Sequence, residues 1–137
     1  MLVRDAMNRN VITADPSASL REAARIMADN RVGSIVVEKG GKMTGIVTEH
    51  DVLLAVAESM DFDSLSIENA MTRYVVYISP EAKIEKAAEK MIEHQIKKLP
   101  VIDDDKVVGI ITSSDIVAAE PALIKTMRLL IAKQKKE

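Results

Sequence analysis

What most constrains the fold of this 137-residue chain is that it is written twice. "AMNRNVITADPSASLREAARIMADNRVGSIVVEKGGKMTGIVTEHDV" begins at Ala6 and "AMTRYVVYISPEAKIEKAAEKMIEHQIKKLPVIDDDKVVGIITSSDI" begins at Ala70, a constant offset of 64 positions without a gap. Met7/Met71, Pro16/Pro80, Ala23/Ala87, Met27/Met91, Gly45/Gly109, Thr48/Thr112 and Asp51/Asp115 all keep register. A fixed period held over so many positions marks a duplicated supersecondary unit. A unit of roughly 60 residues buries too little surface to be comfortably stable by itself. The copies are therefore expected to share a buried face about an approximate twofold axis. Two related clefts follow, each drawing residues from both copies.

Each copy has the pattern strand, helix, strand, strand, helix. "NVIT" is a short β-branched run stopped by "ADPSAS", whose Pro and Ser mark a turn. Ser19 and Glu22 have capping-box spacing, and Leu20, Ala23, Ala24 and Met27 then share one helical face. Ile84, Ala87, Ala88 and Met91 repeat that face. "SIVVEKGGKMTGIVT" predicts a hairpin about Lys-Gly-Gly, and "LPVIDDDKVVGIIT" its counterpart about three aspartates. The fold class expected is α+β: two tandem β-α-β-β-α repeats, at residues 1–60 and 70–120, joined by a polar linker at 61–69. After Pro121, the spacing of Leu123, Ile124, Met127, Leu130 and Ile131 predicts an amphipathic C-terminal helix over 121–137.

Several function classes find little support. A net charge of −2 and only three aromatic residues, Phe62, Tyr74 and Tyr77, disfavour a nucleic-acid binder. The chain has no cysteine, and neither His50 nor His94 stands in a hydrolase or zinc motif. Asp103 to Asp105 lie between β-branched runs, as a polar hairpin turn would, which is a better account of them than a metal site. No GxGxxG or P-loop occurs. Catalytic residues, metal ligands and a catalytic cofactor are accordingly all expected to be absent. No apolar run is long enough for a bilayer and the first residues form no signal peptide, so a cytoplasmic protein without membrane association is expected.

The chemistry concentrates in "GIVTEHD", Gly45 to Asp51, and "GIITSSD", Gly109 to Asp115. One explanation is structural: the threonine caps a helix, the aspartate three places on completes the box, and the glycine permits close packing. The other adds a ligand. Amides at a helix start can meet phosphate, while a carboxylate beside them suits a neutral diol such as ribose.

The duplicated motif, together with the intervening "IKKLPVID", resembles a tandem pair of cystathionine-β-synthase (CBS) domains over nearly all of residues 1–120. That resemblance implies a stand-alone regulatory module, not an enzyme, whose clefts hold adenosine-containing ligands: AMP above all, or ADP, ATP or S-adenosylmethionine. It assigns the motif aspartates to ribose hydroxyls and the motif threonines to ribose or phosphate. The stronger cleft is expected to comprise Thr48, His50, Asp51, Val76, Tyr77, Lys97 and Lys98, with the lysines reaching phosphate. The weaker would comprise Ile12, Thr13, Gly33, Ser34, Thr112, Ser114 and Asp115, none of them cationic. A homodimer through the apolar faces of the closing helices and a separate protein target are implied as well. The alternatives left open are an interaction scaffold with vestigial clefts and a nucleic-acid-binding module using the basic tail.

Overall fold

The β-branched runs form the expected hairpins. The computed structural model describes residues 1–128, within which the elements are α1 (Val3–Ala6), β1 (Thr13–Ala14), α2 (Leu20–Asn30), β2 (Ser34–Lys39), β3 (Lys42–Thr48), α3 (Glu49–Ala57), α4 (Ile67–Ala70), α5 (Ile84–His94), β4 (Lys98–Asp103), β5 (Lys106–Thr112), α6 (Ser113–Ala119) and a 3-10 turn at Pro121–Leu123. Residues 124–128 are helical. Leu130 and Ile131 of the expected C-terminal stripe lie outside the described residues.

Two compact units result, and their boundaries cross the repeat. Val11–Val75 form one, here the first-repeat unit; Met1–Asn10 join the residues from Val76 onward in the other, the second-repeat unit. Residues 1–10 therefore pack with the second copy rather than with the first. Residues 61–69, expected as linker, supply the start of α4, whose Ile67 is fully buried in the first-repeat core.

In the first-repeat unit the sheet order is β1-β2-β3, with β1 parallel to β2 and β2 antiparallel to β3. Leu20, Ala23 and Met27 of α2 pack on Ile35, Val37 and Val47 of the sheet and Ala55 of α3. The Ser19 hydroxyl starts α2 by accepting from the Glu22 N–H at 3.1 Å.

The second-repeat unit repeats the hairpin as β4-β5, with its register shift at the equivalent place, Val101/Ile102 against Val37/Glu38. Its expected first strand, however, shrinks to a bridge between Ile78 and Val101. The cause is local. Val36 N–H donates to the Ile12 carbonyl at 3.3 Å, but the residue at the offset position is Pro100, which has no N–H to offer Val76. Lys83 likewise occupies the N-cap position of α5 and gives no side-chain cap. The core there gathers Val3, Ile84, Ala87, Ala88, Met91, Leu99, Val101, Ile111 and Ile116, together with Met127.

The three aspartates do form a hairpin turn. Asp104 and Asp105 adopt φ of 50° and 65°, where the first copy has Gly40 and Gly41 at 62° and 83°. A two-residue turn of this hand needs positive φ at both central positions.

Candidate functional site

Both motif threonines end a strand and begin a helix, and both capping boxes are complete. At α3, the Thr48 N–H donates to Asp51 Oδ2 at 2.8 Å and the Thr48 hydroxyl donates to the same oxygen at 3.2 Å. The Asp51 N–H donates back to Thr48 Oγ1 at 3.4 Å. At α6, the Thr112 N–H donates to Asp115 Oδ2 at 2.9 Å, and the Asp115 N–H to Thr112 Oγ1 at 3.2 Å. Both pairs are half-buried. In each aspartate a single oxygen serves the cap, so Oδ1 takes no part in it and is the atom available for a neutral donor.

The motif glycines have a separate duty. A Cβ on Gly45 would stand 2.6 Å from the Thr72 carbonyl oxygen, and one on Gly109 would stand 2.6 Å from Met7 Sδ and 3.1 Å from the Asn8 carbonyl oxygen. These are the places where the residues leading into each copy dock beside the last strand of the other. Ile46 and Thr72 exchange two backbone hydrogen bonds of 2.9 Å; Asn8 and Ile110 exchange two of 2.8 and 2.9 Å. At Gly45 a side chain would run into backbone, whereas at Gly109 the tightest neighbour is the Met7 thioether.

The first-repeat unit holds Ile12, Thr13, Gly33, Ser34, Thr48, His50 and Asp51 of the expected site residues. Ser34 is the register partner of Thr48, and the Gly33 carbonyl accepts from the Glu49 N–H at 3.0 Å. His50 is exposed on the first turn of α3. Thr13 pairs with Val36 in β1. A pocket of about 200 Å³ lies beside Asp51, lined by Leu54, Glu58, Met60, Asn69 and Ala70 among others.

Val76, Tyr77, Lys97, Lys98, Thr112, Ser114 and Asp115 fall in the second-repeat unit. Lys98 is the register partner of Thr112, and the Lys97 carbonyl accepts from the Ser113 N–H at 2.9 Å. Within that unit both lysines therefore neighbour the Asp115 box. Tyr77 is half exposed; Lys90 Nζ donates to its carbonyl at 2.8 Å and lies 5.8 Å from its ring centroid.

Sequence reasoning missed three groups here. The Glu49 carboxylate folds over Gly33, so the first turn of α3 carries two carboxylates where that of α6 has Asp115 with two serines. Asn69 reaches the Asp51 pocket from a segment expected to be linker. Lys90 holds Tyr77 from 13 residues away. Polar residues on helix surfaces have no periodic signature that would have singled these out. Among the described residues no group of three or more His, Asp or Glu side chains is placed to hold a metal ion, and no helix is long and apolar enough to cross a membrane.

The doubled cap sits in a doubled fold, and the CBS domain family model matches residues 3–58 and 66–122. The chain belongs to the CBS domain family. It is 31% identical over 114 residues to the CBS domain-containing protein YhcV of Bacillus subtilis, covering 83% of this chain and 81% of that one. It is 39% identical over 116 residues to a homoserine O-acetyltransferase of Methanohalobium evestigatum, covering 83% of this chain but only 23% of that enzyme. The CBS domain pair of protein MJ0100, solved in complex with 5′-methylthioadenosine and S-adenosyl-L-methionine, superimposes with a TM-score of 0.77 at 33% identity, covering 89% of this chain and 97% of that one. CBS pairs are regulatory ligand-binding modules, and this chain has the fold and both motifs of one.

Proposed function

We propose that this CBS pair senses an adenosine-containing ligand and passes its occupancy to a separate protein target, working as a homodimer in the cytoplasm. The observation that carries the reading is the pair of caps at Thr48/Asp51 and Thr112/Asp115, each leaving one carboxylate oxygen outside the cap. The similarity to the MJ0100 pair supports it. Asp51 and Asp115 accept from ribose hydroxyls, Thr48 and Thr112 lie at the ribose or phosphate end, and aliphatic side chains with backbone groups hold adenine. AMP is the favoured ligand, with S-adenosylmethionine next. Lys97 and Lys98 supply the phosphate contacts of the Asp51 cleft, and His50 adds a donor there.

A second grouping of the lysines is favoured by one observation, the pairing of Lys98 with Thr112. In that grouping they serve Asp115. A double-mutant cycle separates the two, because only residues sharing a ligand contact network depart from additivity. Lys98→Ala should be non-additive with Asp51→Asn and additive with Asp115→Asn when AMP affinity is read by calorimetry. The reverse pattern moves the lysines to the Asp115 half-site. Absence of binding by every adenosine ligand tried would remove the sensor reading altogether.

A further inference from the structure

The two motif boxes share one backbone arrangement and carry opposite charge. In the first-repeat unit Ser34 pairs with Thr48, and in the second-repeat unit Lys98 pairs with Thr112. The next bond repeats too: the Glu49 N–H donates to the Gly33 carbonyl at 3.0 Å, and the Ser113 N–H to the Lys97 carbonyl at 2.9 Å. Each unit thus has the same corner, where a strand begins beside a motif threonine. Its side chains differ at four places: Gly33/Lys97, Ser34/Lys98, Glu49/Ser113 and His50/Ser114.

The exchange is one of place as well as sign. A Cβ on Gly33 would fall against the Glu49 carboxylate, on Oε1 first, with Cδ at 3.2 Å. Glu49 therefore puts its charge where the Lys97 side chain leaves the backbone in the other copy. Arg31 lines the same groove as Glu49, yet no ion pair joins them among the described residues. Gly33 has no side chain and Ser34 only a hydroxyl, so neither supplies a cation to offset the carboxylate.

We infer that Glu49 is a specificity residue: it keeps a 5′-phosphate out of the first-repeat corner, which instead takes an adenosine whose 5′ substituent is neutral or cationic, such as a sulfonium. The Lys97–Lys98 corner takes the phosphorylated ligand. The inference rests on the adenosine-ligand reading above and divides the ligands between the two corners. A phosphate monoester brings roughly two negative charges, so a carboxylate beside it repels and an ammonium attracts. A fixed sulfonium reverses both signs. Discrimination of this kind uses the repulsive group as well as the attractive one. Glu49 is exposed, so salt screens its effect over about 10 Å at 0.1 M.

Calorimetric titration of the full chain, freed of bound nucleotide, tests the assignment with AMP, S-adenosylmethionine and 5′-methylthioadenosine as probes. Wild type is expected to take one AMP per chain, and then S-adenosylmethionine without displacing it. Glu49→Lys should raise AMP affinity at the second site by about tenfold or more, equivalent to roughly 1.4 kcal/mol, and weaken S-adenosylmethionine there. Glu49→Gln, which keeps the side-chain shape, should move both affinities the same way by less. The uncharged 5′-methylthioadenosine should respond little to either change, as a purely structural role for Glu49 would not allow. Glu38→Lys makes the same change of net charge four residues along β2 from Ser34, roughly 13 Å away and beyond the screening length, and should leave AMP binding as in wild type. A wild type that binds no adenosine ligand overturns the sensor reading and this inference with it. Two equal AMP sites in wild type, or AMP affinity unchanged in both Glu49 variants, overturns the role of Glu49 alone. So does a 5′-methylthioadenosine response as large as that of AMP, or a Glu38→Lys gain equal to that of Glu49→Lys.

Discussion

Gly45 and Thr72 approach so closely that a Cβ on the glycine would stand 2.6 Å from the Thr72 carbonyl oxygen. Backbone held by two hydrogen bonds cannot move aside cheaply. Gly45→Ala should therefore destabilise by about 1–3 kcal/mol, the usual cost of overpacking. Gly109→Ala should cost less, because its nearest neighbour is the flexible Met7 thioether and the Asn8 carbonyl is farther, at 3.1 Å. Urea midpoints of the two variants measure this, and the opposite order would contradict the account of the motif glycines.

The Asp104–Asp105 turn should be improvable. Left-handed backbone costs a non-glycine residue about 1–2 kcal/mol, partly offset by the entropy that glycine loses on folding. Asp105, at φ 65°, also sits among three consecutive carboxylates. Asp105→Gly is expected to raise stability by about 0.5–1 kcal/mol, read as a higher thermal midpoint. Gly41→Asp at the equivalent position of the first copy should lower it.

Pro100 explains why β1 has no full counterpart. Pro100→Val supplies the missing N–H, and the Val76 carbonyl is the acceptor that the first copy's Val36–Ile12 bond predicts. Hydrogen exchange should show the new amide protected to a degree similar to Val36. Rapid exchange at residue 100 would mean that the strand is shortened for some other reason.

Acid stability depends on two exposed turns. The Ser17 hydroxyl and N–H both donate to Asp15, and the Asp63 N–H donates to Asp61, so both carboxyls titrate below their ordinary range. A carboxyl with a depressed folded-state pKa contributes stability above its unfolded pKa and loses it as pH falls through the folded value. Asp15→Asn should therefore lose this contribution at neutral pH and flatten the acid limb of the stability curve, with variant and wild type converging as pH falls through the folded value. An unchanged acid limb in urea titrations would discount these hydrogen bonds.

Much of this was legible in the sequence, for a physical reason. The register from Ala6 and Ala70 carried both hairpins, the α2 and α5 core faces and both caps, because periodicity and capping are local. The exchange of Met7–Asn8 and Met71–Thr72 between copies was not legible. A repeat has the same sequence whichever copy its leading residues join, and only the close approach at Gly45 and Gly109 records the choice. Nor did "ALIKTM" betray that its Met127 joins the second-repeat core, since an amphipathic stripe names no partner. The shortened strand was legible in principle: Pro100 stands inside a β-branched run.

The carboxylate oxygens left outside the caps are the centre of the functional account. Asp51→Asn and Asp115→Asn keep an acceptor for the threonine N–H while removing the charge offered to ribose, so they separate capping from binding. Replacement by alanine removes both, at a cost of about 1 kcal/mol in cap stability. The most direct measurement is calorimetric titration of the chain, freed of bound nucleotide, with AMP and S-adenosylmethionine. The chain has no tryptophan and two tyrosines, so residual adenine is conspicuous in its ultraviolet spectrum. Saturable binding by wild type is expected, with stabilisation of roughly 2.7 kcal/mol at 100 times Kd. The double asparagine variant should lose that binding while unfolding close to wild type. Undiminished affinity in the folded double variant, or no heat from any adenosine ligand with wild type, would contradict the account.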